Sequence, residues 1–279
     1  MKNTKTLIAL LLATTMFAGL LAGCGKKPAS SASDLPAEKT ADDLEYIKTN
    51  GKLVIGYTLA EPMNFKDDSG ELTGFDTEFA KAVCKKLDLT PEFVEINWDT
   101  KEIELNAKNI DCIWNGMTID ADRKANMEIS VPYVKNMQVV VIKSDKAKTY
   151  TDVASLEKAN LTAEVGSAGE KTIAGDASLS KGKYVGVGRQ TDALLEVKAG
   201  TSDAAVLDWT LANAMVGEGT DFADLQIIPN LELAVEEYGI GFRKGSTACA
   251  KVNEVIAELV EDGTLTALAE KYGLSLITK

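Results

Sequence analysis

The sequence predicts an α/β fold, because runs rich in β-branched residues alternate with stretches of helical periodicity from about residue 50 onward. A first strand is predicted at 52–56, and a first long helix at 76–87, where apolar side chains recur every three or four residues. Hydrophobic residues make up 45% of the chain, which is enough for a packed core. Alternation, periodicity and composition agree on one fold class.

The first half of the chain continues the alternation. Strands are predicted at 91–96 and 110–114, with a helix at 101–108 between them. Asp120 or Asp122 would cap a short helix that follows. Two strand–helix–strand units are therefore complete by residue 115.

A second set of elements begins with the β-branched run 137–143 and the polar break 144–149. The predicted elements are a helix at 152–159, a strand at 161–165, a glycine-containing turn at 166–169, a helix at 192–199, strands at 204–207, 225–229 and 238–243, and helices at 248–261 and 265–271.

The N-terminus has the charged and apolar regions of a secretory signal, predicted to span residues 1–23. Its apolar run is short for a membrane span and ends in Leu21-Ala-Gly-Cys24, which resembles a bacterial lipobox with Cys24 as the lipidated residue. An ordinary cleaved signal is the alternative. Residues 24–45 are mostly small and polar, which predicts a flexible tether.

Composition excludes several classes of function. A net charge of −12 argues against nucleic acid as a partner and is adequately explained by solubility. The chain has no histidine, which excludes a histidine triad or a histidine-ligated metal, and we predict no cofactor and no metal. Cys84, Cys112 and Cys249 have no metal-like spacing and are predicted to be buried thiols, with one disulfide left open.

Arg123 is the first candidate binding residue. It follows a strand that ends in small and polar residues, and ligands favour such strand ends. Its planar guanidinium suits a carboxylate, and the Thr118 hydroxyl with the amides from Gly116 to Thr118 could complete a site for an amino acid's α-carboxylate. The alternative is a surface arginine paired with Asp120 or Glu128.

Asp208 is the second candidate. It follows an apolar strand, and a carboxylate at that rim is costly unless a cation meets it. The alternative is a helix cap, since a helical segment begins at Trp209.

Several short motifs occur in an order that resembles the polar amino-acid solute-binding proteins of ABC transporters, bacterial family 3. The resemblance spans residues 50–275 and is weaker in the second half. The motifs are Gly74-Phe-Asp76, Trp98, Ile110-Asp111, Met117-Thr-Ile119, Asp122-Arg123, Ser130-x-Pro-Tyr133 and Asp203-Ala-Ala-Val-x-Asp208.

This resemblance implies a two-lobed periplasmic-binding-protein-like fold (type II) with two strands crossing at the hinge. The crossings are expected near 137–143 and 237–243, with one lobe formed by 46–139 plus 242–279 and the other by 140–241. The lobes would close on the ligand by hinge bending.

The resemblance also assigns roles. Arg123 would bind the α-carboxylate together with Thr118 and the amide of Ser167 or Ala168. Asp208 would accept the α-ammonium, with the carbonyl of Met117 as a second acceptor. Trp98 matches a ligand-packing aromatic, with a core tryptophan as the alternative.

The sequence departs from the family pattern at 57–63, a loop that includes Tyr57 and lines the outer pocket in the family. Glu61 could receive a cationic side chain or simply be solvated, and Asn115 with Asn64 could recognise an amide. In the turn 166–170, Ser167 is the only hydroxyl. Neutral polar, cationic, cystine and cysteine ligands all stay open.

The resulting interpretation is a monomeric extracytoplasmic lipoprotein, held to the membrane through lipid on Cys24. It would capture a free polar L-amino acid and deliver it to the permease subunits of an ABC importer. Alternatives are a sensing module for a separate signalling partner, and a lyase of the same fold; we do not expect an enzyme.

Overall fold

The computed structural model describes residues 42–277. Its strands are Lys52–Tyr57 (β1), Phe65–Lys66 (β2), Leu72–Thr73 (β3), Thr90–Glu95 (β4), Cys112–Thr118 (β5), Met127–Ile129 (β6), Val134–Lys143 (β7), Asn160–Glu164 (β8), Lys183–Val187 (β9), Ala204–Asp208 (β10) and Leu225–Arg243 (β11). The predicted signal, its Cys24 and most of the tether lie outside the described residues.

The α-helices are Asp43–Asn50 (α1), Phe75–Leu87 (α2), Lys101–Asn106 (α3), Ala121–Asn126 (α4), Ala168–Gly175 (α5), Gln190–Ala199 (α6), Trp209–Met215 (α7), Thr247–Glu261 (α8) and Thr264–Lys271 (α9). Short 3₁₀ helices lie at Trp98–Thr100, Ser144–Lys146, Ala154–Leu156 and Leu179–Lys181. Over the part of the chain that is described, none of these helices is long and apolar enough to cross a membrane.

Nine strands form one mixed sheet in the spatial order β4-β1-β5-β11-β7-β10-β8-β9, with β6 also pairing with β11. Strands β4, β1 and β5 are parallel to one another, as are β9, β8 and β10. Between these two parallel sets lie β7 and β11, which are antiparallel to each other and to their outer neighbours. These two long strands connect the halves of the sheet.

The first half of the sheet has its own core, formed by β1, β5, α2, α8 and α9. Aromatic rings fill its centre. Phe79 lies 4.9 Å from Trp114, edge to face, and Phe75 stacks on Tyr133 at 6.0 Å. All four side chains are fully buried.

The second half has separate apolar clusters on the two faces of β7, β10 and β8. One face packs against α6 and α7, and the other against α5 and the segment before β8. Because each half buries its own core, the molecule has two lobes joined by β7 and β11, as expected. The residue boundaries given for the lobes stay a prediction.

Helix α1 begins inside the segment predicted as a tether. Asp42 caps it, and the carboxylate of Asp43 binds the guanidinium of Arg243 at 2.8 Å. Arg243 also donates to Asp111 at 2.9 Å, so this buried ion pair docks α1 against the end of β11. Leu44 and Ile47 pack on the first core, which orders the helix.

The predicted elements are wrong in two places, and they omit α5 and β9. The expected helix at 152–159 is wrong: only Ala154–Leu156 forms a 3₁₀ turn, because Ser155 accepts hydrogen bonds from the amides of Thr151 and Asp152, and Asp152 accepts from the amide of Ser155. The strands predicted separately at 225–229 and 238–243 are one continuous strand, β11. This strand pairs with β7 in an antiparallel register that cannot be read from the sequence.

Candidate functional site

Arg123 lies in the short helix α4, where Asp120 caps the helix by accepting from the amide of Arg123 at 2.8 Å. This cap fixes the start of α4 and turns the guanidinium inward, where the residue is 6% exposed. One terminal nitrogen donates to the carbonyl of Thr118 at 2.7 Å, and the other to the carbonyl of Gly166 in the second lobe at 3.3 Å. Arg123 is therefore a buried interlobe residue, and its contact with Asp120 at 3.9 Å is secondary.

The Trp98 ring lies beside this guanidinium, with 5.8 Å between the guanidinium carbon and the ring centroid. Trp98 is 5% exposed and packs against the core residues of β5. It therefore belongs to the core and also forms one wall of the site.

Asp208 ends β10, and α7 follows directly. The Asp208 side chain makes no capping hydrogen bond, so the helix-cap interpretation is not what the structure shows. One carboxylate oxygen accepts from Asn136 at 2.9 Å and Gln138 at 2.5 Å, and the other accepts from Gln190 at 2.5 Å. Three amide groups hold this carboxylate in one orientation.

Arg123 and Asp208 face the same small cavity between the lobes. A wider and more open groove adjoins the Arg123 end through Ser167 and Gly166. The cavity brings together eight of the predicted residues with two that were not predicted. It is lined by Trp98, Asn115, Gly116, Thr118, Arg123, Ser167, Ala168 and Asp208, and by Glu164 and Gln190.

Three predicted residues do not line this cavity. Tyr57 is buried edge-on against Phe93, at 6.1 Å between ring centroids. The Met117 side chain packs in the core near Gly241. Glu61 is half-buried in the turn after β1, and burial raises the pKa of its carboxyl. Ligand contacts of these three residues stay predictions.

Some lining groups already have protein partners. The Asn115 amide donates to the Thr58 carbonyl and to Asn64, and its oxygen accepts from the Thr58 hydroxyl. The Gly116 amide donates to Asp76 at 2.6 Å, and the Ser167 hydroxyl caps α5 by accepting from Glu170. These groups shape the cavity wall. By contrast, the first amides of a helix lack intrahelical acceptors, and Ala168 is the first residue of α5.

The sequence did not predict two buried ionisable residues, Glu164 at the cavity and Lys101 at the adjoining groove. Glu164 is 4% exposed, and burial together with the charge of Asp208 raises the pKa of its carboxyl to about 8. Lys101 is 5% exposed and donates to the carbonyls of Trp98 and Gly166, each at 3.0 Å. Burial and the charge of Arg123 lower the pKa of Lys101 to about 8. The position of Glu164 at the carboxyl end of β8 is visible only once the end of the strand is known.

A polar network runs through the hinge strands. One carboxylate oxygen of Glu236 on β11 accepts from Thr118 at 3.0 Å, and from Asn136 and Gln138 on β7 at 2.5 and 2.8 Å. Asn136 and Gln138 also donate to Asp208, so the network links the two ends of the cavity. Burial, followed by the charge of Asp208, raises the pKa of Glu236 to about 7.

Contacts outside the cavity also join the lobes. Arg189, before α6, pairs with Glu95 at the end of β4 at 2.5 Å. Lys171 on α5 pairs with Asp120 at 3.3 Å and also with Asp122. With Lys101 and Arg123, these contacts hold the lobes closed around the cavity.

Known proteins with this fold are similar to the chain over most of its length. L-cystine-binding protein TcyJ of Escherichia coli (strain K12) is 28% identical over 263 residues, covering 85% of this chain and 88% of TcyJ. The ABC transporter glutamine-binding protein GlnH of Bacillus subtilis (strain 168) is 28% identical over 275 residues, covering 96% of this chain and 97% of GlnH.

Among solved structures, that of Tv2483 bound to L-arginine superposes with a TM-score of 0.79 at 26% identity, covering 84% of this chain and 96% of Tv2483. The model of the bacterial extracellular solute-binding proteins, family 3, matches residues 53–275. Because this match includes both lobes, the hinge strands and the cavity between them, the chain belongs to the bacterial extracellular solute-binding proteins, family 3.

Proposed function

We propose that this protein captures a free polar L-amino acid outside the cell by closure of its lobes and delivers it to an ABC importer. The observation that carries the proposal is the placement of Arg123 and Asp208 on different lobes, facing one enclosed cavity. A zwitterionic α-amino acid carries its two opposite charges on groups bonded to the same α-carbon and could bind both residues at once. Ligand binding would then stabilise the closed state.

Arg123 binds the α-carboxylate through its terminal nitrogens, with the amide of Ala168 as a further donor at the start of α5. Trp98 limits the cavity beside the guanidinium. Asp208 accepts the α-ammonium. A carboxylate has about four acceptor positions, and the three amide donors on Asp208 leave room for one more.

We further propose that lipid on Cys24 holds the protein at the outer face of the cell membrane. The signal-like N-terminus and the lipobox-like Leu21-Ala-Gly-Cys24 support this, and the composition of residues 24–41 suits a tether. Metabolic labelling with a palmitate analogue tests it: the wild-type chain should incorporate label and Cys24→Ser should not. Equal labelling of both chains would refute lipidation at Cys24.

A thermal-shift screen tests the binding function. The chain from residue 25 onward, freed of co-purified ligand, is mixed with each common L-amino acid and with L-cystine. A ligand at a hundred times its dissociation constant adds about 2.7 kcal/mol to folding stability, a readily measured shift. We expect one chemical subset to bind and to be recovered unchanged after incubation. No shift with any amino acid would refute the proposal, and recovery of a converted product would indicate an enzyme.

A further inference from the structure

The cavity has an uneven set of ionisable groups. Arg123 lines it and Lys101 lines the adjoining groove, whereas three carboxyl groups, Glu164, Asp208 and Glu236, lie in or beside it. Burial raises the pKa of Glu164 to about 8, so without a cationic partner this carboxyl is largely protonated near pH 7. A neutral α-amino acid adds one charge of each sign and supplies no further cation, whereas a ligand with an additional cationic group would hold the carboxyl ionised. Buried charge is costly when unpaired, so this difference favours a cationic ligand.

Among the three carboxylates, Glu164 is the one with a fully buried oxygen that has no hydrogen-bond donor in residues 42–277. Asp208 accepts from three amides, and one oxygen of Glu236 accepts from three donors. The Oε1 atom of Glu164, in contrast, is fully buried and accepts no hydrogen bond from any residue in 42–277. A buried acceptor without a donor destabilises the protein unless a ligand or water supplies one.

Lys101 is a cation near Glu164, and its charge partly offsets the effect of burial on the pKa of that carboxyl. Its ammonium group instead donates to the carbonyls of Trp98 and Gly166, where it links the lobes. The Gln190 side chain also binds another residue: its amide nitrogen donates to the carboxylate of Asp208, and its oxygen accepts from the Asp208 backbone amide. No residue in 42–277 thus donates to this oxygen of Glu164, and a group that enters the cavity can supply the hydrogen bond.

We infer that Glu164 binds a second cationic group, carried on the side chain of the ligand, and that the substrate class is the cationic α-amino acids, with a guanidinium or ammonium side chain. This inference rests on the proposed function, because Arg123 and Asp208 first fix the α-carboxylate and α-ammonium. Glu164 then selects among amino acids by the charge of their side chains.

The test compares L-arginine with L-citrulline, which replaces the guanidinium by a neutral urea of nearly the same shape. Titration calorimetry on the wild-type protein should give at least a tenfold lower Kd for arginine, since a charged group at a desolvated partner is worth several times a neutral one. The Glu164→Gln substitution should raise the Kd for arginine by roughly tenfold or more and the Kd for citrulline by less than about threefold.

Two further variants control the result. Glu92→Gln removes one negative charge from a surface pair with Lys52, away from the cavity, and should keep the wild-type preference. Glu164→Asp keeps the charge on a shorter side chain and should restore part of the preference that Glu164→Gln loses. Thermal denaturation of each variant shows whether it is folded.

The possible failures are distinguishable. Equal binding of arginine and citrulline by the wild-type protein, or binding of L-cystine but of neither arginine nor lysine, would overturn the inference and leave the proposed function standing. Equal weakening of both ligands in Glu164→Gln would overturn it as well, because Glu164 would then bind the α-ammonium. Failure of the wild-type protein to bind any amino acid would refute the proposed function itself.

Discussion

Replacement of Arg123 by alanine should weaken amino-acid binding far more than the loss of one solvent-exposed charge would. The guanidinium is 6% exposed and reaches both lobes, so the ligand carboxylate would lose a desolvated, charge-assisted partner. Truncating one member of such a pair costs about 2–5 kcal/mol. At about 1.4 kcal/mol per factor of ten, Kd should rise by roughly 30-fold to several thousandfold.

Arg189→Ala is the matched control. Arg189 also joins the lobes, through Glu95, but the two side chains are 46% and 35% exposed. Exposed pairs contribute about 0.2–1 kcal/mol, so Kd should change by no more than about fivefold. Both variants are titrated by calorimetry with the L-amino acid that gives the largest thermal shift in the wild-type protein.

A Kd for Arg123→Ala within fivefold of wild type would refute the carboxylate assignment. If both variants weakened binding to the same large extent, closure of the lobes rather than contact with the ligand would account for the loss. Arg123→Lys separates charge from geometry: lysine keeps the charge without the planar fork, so its Kd should lie between those of wild type and Arg123→Ala.

Three further predictions concern stability and thiol chemistry. Gly74 has φ +113°, and a Cβ there would lie 2.4 Å from the Met63 carbonyl, whereas Gly70 has φ +86° and open space around it. In urea denaturation, Gly74→Ala should therefore be at least about 2 kcal/mol less stable than the control Gly70→Ala. Similar unfolding midpoints for the two variants would contradict the close packing at Gly74. Burial raises the pKa of Asp76 from 3.8 to about 7, so its folded state holds a proton that its unfolded state loses, and the free energy of unfolding should fall by up to about 1.4 kcal/mol per pH unit between pH 4 and 7. Asp76→Asn should lack this part of the fall in the free energy of unfolding with pH. Parallel profiles of unfolding free energy against pH for the variant and the wild-type protein would contradict the assignment to Asp76. The structure shows three free and buried cysteines, Cys84, Cys112 and Cys249. A protein that lacks Cys24 should therefore react with Ellman's reagent only after denaturation, and three thiols should then be titrated. Titration of one thiol in unreduced, denatured protein would indicate a disulfide.

Periodicity predicted most of the fold because most elements bury one regular face. The long helices α2 and α8 have their apolar residues at helical spacing, and the structure places those residues in the first core. Helix α5 was missed because Gly169 and Gly175 make its sequence resemble a turn. The structure explains Gly169: a Cβ there would lie 2.4 Å from the carbonyl of Val206, so the close approach of α5 to β10 requires glycine.

Strand β9 was missed for a different reason. It is a sheet edge whose five residues are largely exposed, so it lacks the buried face that would produce a pattern. Strand β11 was divided in two because Pro229 and several glutamates interrupt its apolar character. Its pairing with β7 spans most of its length, and such long-range pairing leaves little trace in one sequence.

The site was predicted in part for similar reasons. Arg123 and Asp208 follow strand ends, where sequence and topology point to a ligand, and the resemblance supplied their roles. Glu164 ends β8, but the sequence predicts a strand that runs on to residue 165, so the glutamate has no position that separates a cavity carboxylate from an exposed one. Asn136 and Gln138 alternate with apolar residues on β7, as solvent-facing residues would, yet they are 3% and 0% exposed.

The carbonyl oxygen of Gly166 accepts hydrogen bonds from both Lys101 and Arg123, across the cleft. Every amino acid carries a backbone carbonyl, so no substitution at position 166 deletes this acceptor. The position is nevertheless restricted, because its φ is +73° and a Cβ would lie 3.2 Å from the Cα of Asp99. One acceptor between the lobes is thus a main-chain atom, whereas Glu164 is a cavity side chain that takes no part in these interlobe contacts. Protein engineers could therefore replace Glu164 to redirect the protein to another nutrient, or to build a biosensor, while Gly166 keeps its contacts with Lys101 and Arg123.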